Sequence, residues 1–237
     1  MKTLVAKRLL LSVFAMVMLG GLTGCATTAN NPKDPYEGFN RAMFSVNEGI
    51  DVVVKPVAQG YDTVTPRLAK AGIGNFFGNI ADIWTALNNF LQGKGVQGVS
   101  DVGRVIVNTT FGIAGLFDVA SEMGYEKHSE DFGQTLGVWG VGDGPYLFWP
   151  VLGPRTTRDT FGVAVDLYAD PIPRIDNVPV RNTLMGVRFI DTRASLLPAD
   201  KVVEQAAFDK YSYIRDAYLQ NRRSVIHDGN PPVAEEQ

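Results

Sequence analysis

The segment from Ile73 to Leu91 constrains the fold more than any other part of the chain, because it joins a helical repeat to an unusual set of polar residues. Its apolar residues recur at steps of three and four, which is the spacing of an amphipathic helix. These residues are Ile73, Phe76, Phe77, Ile80, Ile83, Trp84, Leu87, Phe90 and Leu91. The opposite face carries Asn75, Asn79, Asp82 and Asn89 instead of lysines and glutamates. Such a helix suits a membrane interface or a channel wall, and it also suits a buried core, so the pattern leaves these alternatives open.

Helical spacing predicts most of the remaining elements as well. A first helix contains Phe39, Met43, Val46, Ile50 and Val53. We expect it to end at Lys55, because the residue before a proline avoids the α conformation. Further helices are predicted over residues 96–107, 155–168, 181–197 and 199–223, the last being the most regular. Sustained strand alternation is scarce, so the chain is predicted to be all-α.

Two segments between the predicted helices are rich in glycine. In residues 108–120, Gly112 and Gly115 interrupt an apolar run, which predicts either a helical hairpin that bends back or a buried turn in the core. Residues 130–154 combine glycine, proline and aromatic side chains, and are predicted to form a loop packed by its large side chains.

The N-terminus has the pattern of an export signal. Lys2, Lys7 and Arg8 precede an apolar stretch of roughly ten residues, which is shorter than the ~20 residues that cross a bilayer. The sequence Leu-Thr-Gly-Cys that ends at Cys25 resembles a bacterial lipobox, in which the cysteine is lipidated and becomes the first mature residue. Cys25 is the only cysteine, so an intramolecular disulfide is excluded. The alternative is an ordinary signal peptide with an incidental cysteine.

Charge and composition exclude several classes of protein. The formal net charge of the chain is −3, and the charged residues among the first 24 are all basic, so a mature chain beginning at Cys25 is more acidic still. This balance argues against nucleic-acid binding and against a polybasic membrane-surface domain. No stretch after the signal reaches the roughly 18 uninterrupted apolar residues of a transmembrane helix.

The sequence predicts no catalytic or metal site and no cofactor. Its two histidines are His128, in a charged segment where we expect a solvated side chain, and His227 near the C-terminus. No G-x-S-x-G, H-E-x-x-H or C-x-x-C motif occurs, and the glycine-rich residues 141–145 lack the lysine of a phosphate-binding loop. The acidic residues in segments 130–131 and 166–170 are expected to cap helices or to pair with Arg155 and Arg158.

A series of short motifs in one order resembles the MlaA/VacJ lipoproteins of the Gram-negative outer membrane. They are D-P-Y-E-G-F-N-R at 34–41, K-P-V-A at 55–58, N-F-F at 75–77, N-x-x-L-Q-G at 88–93, G-x-x-D-V-A at 115–120, D-F-G-Q-T-L-G at 131–137, W-G-V-G-D-G-P-Y at 139–146, G-P-R-x-x-R-D at 153–159, R-A-S-L-L at 193–197 and R-D-A-Y-L-Q at 215–220. Each motif alone is weak, but so many in the right order are specific. In segment 208–211 the chain departs from the family pattern, since Phe-Asp-Lys-Tyr lacks a proline, and we expect a more continuous last helix there.

The resemblance implies a domain organisation and a fold. Residues 1–24 would be the lipoprotein signal peptide, 25–33 a lipidated tether, 34–229 the helical domain and 230–237 a flexible tail. The domain would be a single all-α ring with Gly-rich loops that lies in one leaflet of the membrane. Ala26 after the lipidated cysteine, by resemblance to Gram-negative lipoproteins, favours the inner, periplasmic leaflet of the outer membrane.

The resemblance also implies a function without bond chemistry, so the chain is predicted not to be an enzyme. Such proteins associate with trimeric porins, remove phospholipids that have strayed into the outer leaflet, and pass them through an amphipathic channel to a soluble periplasmic carrier, which maintains lipid asymmetry. The alternative is a lipoprotein adaptor that scaffolds porins or other envelope machinery without moving lipid.

The site residues implied by the resemblance fall into three groups. Cys25 is the lipid attachment site. The glycine hairpin, which comprises Phe111, Gly112, Ile113, Gly115 and Leu116, matches a segment beside the channel that could gate it. Asn47 on the first helix matches a position close to the lipid path.

Overall fold

The computed structural model describes residues 31–232, and within this range the chain is mainly helical, as predicted. The α-helices are α1 (Glu37–Val64), α2 (Arg67–Leu91), α3 (Gly95–Thr110), α4 (Val119–Glu122), α5 (Phe132–Val138), α6 (Thr157–Ala169), α7 (Val178–Ser195), α8 (Leu197–Ala206) and α9 (Lys210–Ile226). A short 3-10 helix covers Ile172–Arg174. Strands β1 (Tyr146–Trp149) and β2 (Gly153–Thr156) form an antiparallel hairpin, in which Tyr146 lies opposite Thr156.

Helices α2 and α3 form an antiparallel pair that corresponds closely to the predictions. Gly93, with φ of 79°, lies in the short connection between them, and Lys94 directly precedes α3. Two side-chain hydrogen bonds join the facing sides of the pair: Asn79 donates to Thr109 at 2.9 Å, and Asn89 donates to Asp101 at 2.7 Å. The polar face of α2 is therefore buried against α3, and its apolar face remains outside.

Arg104 of α3 is completely buried and organises the polar interior around it. Its guanidinium donates to both carboxylate oxygens of Asp118, at 2.9 and 3.0 Å, and to the Tyr125 carbonyl at 2.8 Å. Asp82 of α2 lies 3.5 Å from Arg104 Nε and also accepts from Lys127 at 3.0 Å. A buried cation needs such complete pairing, because an unpaired ion in a low-dielectric interior is strongly unfavourable.

The apolar core is small in comparison. Tyr146, Phe148 and Tyr211 are buried together, and Phe44 packs edge-on against Phe148 with ring centroids 5.3 Å apart. This cluster joins α1, β1 and α9. It fixes the N-terminal helix and the C-terminal helix on the same hairpin.

Three boundaries differ from the predictions. Helix α1 does not end at Lys55 but continues through Pro56 to Val64. The expected loop at 130–154 contains α5 and β1. Helix α5 begins after Asp131, which caps it by accepting from the Gln134 N–H at 2.8 Å. The expected single helix from 199 to 223 is broken into α8 and α9.

The break between α8 and α9 also overturns the expectation of a more continuous last helix in segment 208–211. Asp209 is the N-cap of α9 and accepts from the Tyr211 N–H at 3.1 Å. The same carboxylate pairs with Arg41 of α1, with a shortest contact of 2.5 Å. A cap and a tertiary ion pair at one residue stop the helix without any proline.

We expect the Arg104→Met variant to be about 3–5 kcal/mol less stable than the wild type, because it leaves the partly buried Asp118 without its cation and the buried Asp82 with Lys127 alone. Urea unfolding of the purified protein in detergent micelles measures this loss. Arg67 is exposed and has no ion pair among residues 31–232, so Arg67→Met is the matched control, with a change within about 0.5 kcal/mol. Equal effects of the two substitutions would show that the buried pairs contribute nothing.

Candidate functional site

Cys25 lies outside the described residues. The structure does show how the chain is held at Asp34, directly after the proposed tether. Asp34 is completely buried and accepts hydrogen bonds from Asn40 at 2.8 Å, from the Tyr211 hydroxyl at 2.6 Å and from Arg215 at 3.2 Å. The start of the domain is thus tied to α1 and α9. A lipid on Cys25 would hold the membrane close to this end of the molecule.

Asn47 stabilises the hairpin that faces α1. Its side-chain oxygen accepts from the Val151 N–H at 2.9 Å, and Val151 holds a left-handed backbone with φ of 71°. Asn47 also lines a cavity of about 300 Å³ with apolar residues such as Phe44 and Phe189. Among the described residues that line this cavity, none belongs to the 111–116 segment.

The glycine-containing segment at 111–116 is a compact turn at the C-terminus of α3. Phe111 and Ile113 are exposed, so the expectation of a buried core turn is wrong. The turn also differs from a helical hairpin, because the helix that follows it, α4, has a single turn. Leu116 is anchored to α2 through its carbonyl, which accepts from Asn75 at 3.2 Å.

The two glycines of this turn have separate roles. Gly115 has φ of 88°, and a Cβ there would lie 2.7 Å from Asn79 Cβ. A Cβ on Gly112 would lie 2.1 Å from the Phe117 carbonyl oxygen, which is shorter than any real contact. The backbone therefore folds back on itself tightly at Gly112 and on α2 at Gly115. Asn47 joins α1 to the β-hairpin, whereas this turn packs on α2. The two predicted sites therefore lie in different parts of the protein.

A polar cavity that the sequence did not indicate lies between α5, α6, β2 and α9. It has a volume of about 220 Å³, and its wall consists of Asp131, Arg155, Asp159, Val163, Asp166, Tyr218 and Arg222. Three of the family-like motifs contribute to it, D-F-G-Q-T-L-G, G-P-R-x-x-R-D and R-D-A-Y-L-Q, although only their order along the chain was visible in the sequence. The helices α5 and α6 approach so closely here that a Cβ on Gly162 would lie 2.5 Å from the Gly133 nitrogen.

Arg222 is the centre of the ion pairs in this cavity. It donates to both oxygens of Asp131 at 2.6 Å and to Asp159 at 2.9 Å. Asp159 also accepts from the Tyr218 hydroxyl at 2.5 Å. Burial raises the pKa of Asp159, but the charge of Arg222 and the hydrogen bonds from Arg222 and Tyr218 outweigh burial and hold this pKa at about 2.

Asp131 caps a helix, as the sequence suggested, but the acidic residues of segments 130–131 and 166–170 do not pair with Arg155 or Arg158. Asp131 pairs with Arg222, Glu130 with Lys94 and Asp170 with Arg188. Arg158 does bind Asp159, its neighbour, at 2.9 Å. The expected partner Arg155 has no carboxylate within ion-pair distance among residues 31–232.

His128 is not the solvated residue that we expected. Its side chain is largely buried, and its Nδ1 lies 2.9 Å from Oδ1 of Asp101, which is itself buried. Asp101 also accepts from Asn89, so the histidine completes a polar contact between α2, α3 and the segment before α5. In the described part of the chain, no group of three or more residues has the arrangement of a metal site.

Acid should weaken the protein through Asp159. Its folded pKa of about 2 lies below the ordinary value of 3.8, so its contribution is complete above about pH 4 and is lost as the pH falls through about pH 2. We expect the free energy of unfolding to fall by about 1–2 kcal/mol through this group over that window. Urea unfolding at a series of pH values tests this. Asp159→Asn should lose less over the same window, and parallel pH profiles would contradict the prediction.

The turn at 111–116 should not tolerate a side chain at Gly112. We expect Gly112→Ala to reduce the free energy of unfolding by about 1–3 kcal/mol, because the added methyl group meets backbone atoms that cannot rotate away. Gly49→Ala in α1 is the matched control, since its Cβ meets nothing within 4 Å and alanine favours the helix. Limited proteolysis should detect cleavage near Phe111 in the first variant alone. Equal protection of both variants would argue against a tight turn.

Comparison with known proteins gives a consistent result. The model of the family described as "MlaA lipoprotein" matches residues 32–225. The chain is 35% identical over 217 residues to the intermembrane phospholipid transport system lipoprotein MlaA of Shigella flexneri, covering 88% of this chain and 85% of that protein. The protein of the same name from Haemophilus influenzae is 30% identical over 239 residues, covering 97% and 93% of the two chains.

The fold has a solved counterpart. A chain from work on the "structural basis for maintenance of bacterial outer membrane lipid asymmetry" superposes with a TM-score of 0.70 at 33% identity, covering 81% of this chain and 98% of that one. The relatives are named as transport lipoproteins, and this agrees with the prediction that the chain is not an enzyme. The family match spans most of the residues, and the chain belongs to the MlaA lipoprotein family.

Proposed function

We propose that this protein removes phospholipids that have strayed into the outer leaflet of the outer membrane and passes them inward, which maintains lipid asymmetry. The named relatives belong to an intermembrane phospholipid transport system, and the solved counterpart concerns outer-membrane lipid asymmetry. The observation that supports the proposal most directly is that the α2–α3 pair buries its charged side chains and exposes its apolar ones, the reverse of the usual arrangement in a water-soluble protein.

The α2–α3 pair carries this reversal most clearly. The charged residues between Ala71 and Thr110 are Asp82, Lys94, Asp101 and Arg104, and none of them is exposed. On the outside, Val96 is 87% exposed and Ile106 60% exposed. Soluble proteins rarely present such a continuous apolar surface to water, so we infer that this face contacts lipid.

The helices of the described range do not cross the membrane in the usual way, since none is long and apolar enough to do so. Helices satisfy their own backbone hydrogen bonds and can therefore lie within hydrocarbon. We infer that the domain lies in the periplasmic leaflet as a ring, held there by its apolar surface and by acyl chains on Cys25. Two or more acyl chains anchor stably, whereas one binds only marginally.

The polar interior supports a path for lipid headgroups. A headgroup that moves past hydrocarbon needs polar partners, because an unpartnered charge there is costly. Asn47, the 111–116 turn and the polar cavity line different parts of the domain, and each is a candidate wall or gate of an amphipathic channel. A trimeric porin on the apolar face and a soluble periplasmic carrier as recipient complete the proposed assembly.

Cells test the proposal directly. We expect outer-leaflet phospholipid to rise when the gene is deleted, to return to the normal level with the wild-type gene, and to stay high with Cys25→Ala. Thr28→Ala is the matched control for a substitution in the tether, and immunoblots of membrane fractions verify equal amounts of protein. Surface labelling of phospholipid amines measures the result.

The competing function is that of an adaptor that scaffolds porins without moving lipid. Unchanged surface phospholipid after deletion, together with altered porin assembly, would favour the adaptor and reject transport. If Cys25→Ala restored the normal level of outer-leaflet phospholipid, transport would not require the lipid anchor.

A further inference from the structure

Two charged residues that line the polar cavity between α5, α6, β2 and α9 take no part in the ion pairs of that cavity. Asp131, Asp159 and Arg222 bind one another, as described above. Arg155 and Asp166 line the same cavity, and neither has a partner of opposite charge within 4.0 Å among residues 31–232.

Arg155 is the cation without a counter-charge. It projects from β2, and the described acceptor of its guanidinium is the carbonyl of Pro154, at 2.8 Å from Nη1. Its Nε is buried and has no hydrogen-bond partner in the described part of the chain. A guanidinium offers five N–H groups in a planar fork that matches the oxygens of a phosphate, and most of them are unused here.

Asp166 is the corresponding anion. One of its oxygens, Oδ1, accepts from the Trp84 indole at 2.7 Å and from the Phe132 N–H at 3.0 Å. These two neutral donors hold the carboxylate in place without neutralising it. Burial and the charge of Asp131 raise the pKa of Asp166, and together they outweigh these two hydrogen bonds and the charge of Arg222, which lies beyond ion-pair distance.

Asp166 also adjoins a second cavity that has several apolar residues in its wall. Asp166 and Val163 both line this neighbouring cavity, which has a volume of about 310 Å³. Its wall includes the apolar residues Phe77, Ile80 and Leu167, and also Glu130, Asp170 and Arg188, whose charges are already paired. The two cavities thus share Val163 and Asp166, and the second has the more apolar wall. A ligand that fits both is amphipathic, with charges at one end.

We propose that this pair of cavities binds a glycerophospholipid with a zwitterionic amine headgroup, with Arg155 donating to its phosphate and Asp166 accepting from its ammonium. The acyl chains lie along Phe77, Ile80 and Leu167. A headgroup with phosphate alone would neutralise Arg155 but bring a second negative charge near Asp166. A zwitterion satisfies both residues, and charge-assisted hydrogen bonds are the stronger kind. The inference rests on the proposed function and adds a headgroup preference to it.

Lipid binding to the full-length lipoprotein, purified in detergent and stripped of lipid, tests the proposal. The probes are dioleoyl phosphatidylethanolamine and dioleoyl phosphatidylglycerol, titrated separately and followed by native mass spectrometry. We expect the wild type to favour the ethanolamine lipid about tenfold, the effect of one charge-assisted hydrogen bond. Asp166→Asn should abolish this preference, and Arg155→Gln should weaken both lipids about tenfold.

The controls are Asp176→Asn and Arg67→Gln, which change the same residue types at exposed positions. The wild-type preference needs no variant, so the proposal can fail even if a substitution unfolds the protein. Equal binding of both lipids by the wild type would overturn the headgroup inference and leave transport intact, whereas binding of neither lipid would count against the proposed function itself. Glycerophosphoethanolamine, which lacks acyl chains, should compete poorly, and competition equal to that of the lipid would instead identify a site for a soluble amino-phosphate.

Discussion

The structure depends on the pairing of buried charges. Arg104, Arg215 and Arg222 each bring together carboxylates from separate elements, in positions where an ordinary domain would place leucine or phenylalanine. Such pairs are not efficient at raising stability, because desolvation of the ions offsets much of their attraction. They allow an interior that is polar while the exterior is apolar, and an apolar exterior leaves few other residues to build a core. The small aromatic cluster around Tyr146 is then sufficient to orient the end helices.

Helix α9 has a central position in this arrangement. Its Arg215 reaches Asp34 at the start of the domain, while Arg222 reaches Asp131 and Asp159 in the middle of the chain. Lys94, at the end of the α2–α3 pair, contacts Asp228 just beyond α9. One helix therefore connects the start of the domain at Asp34, the polar cavity and the pair of helices with the most apolar exterior. A lipid path along these elements would have walls that are all held by the same helix.

The sequence predicted the helices whose repeat is continuous, and it failed where a tertiary contact decided the outcome. The repeat was enough to place α2 and its end at Leu91. The end of α1 was misplaced at Lys55, since the helix tolerates Pro56 in its interior. The break at Asp209 combines a local N-cap with an ion pair to Arg41, which lies 168 residues away and which no local pattern could indicate.

The candidate site was predictable only in part for the same reason. The turn at 111–116 and Asn47 were indicated by family resemblance, and the structure gives each a distinct local role without joining them in one cavity. The polar cavity was missed because its residues are scattered from Asp131 to Arg222, and each is unremarkable in its own segment. His128 was misjudged because its charged neighbours suggested solvent, whereas its partner Asp101 lies in α3.

The long separations of these ion pairs also affect how the chain reaches its native state. Asp34 forms hydrogen bonds with Tyr211 and Arg215, which lie 177 and 181 residues further along the chain. Contacts so distant in sequence are slow to form, because a long loop must close before they contribute anything. Until α9 docks, Asp34 and Asp131 lack the arginines that pair with them, and the small aromatic cluster lacks Tyr211. The nascent protein is therefore most prone to aggregate in the period before its last helix docks.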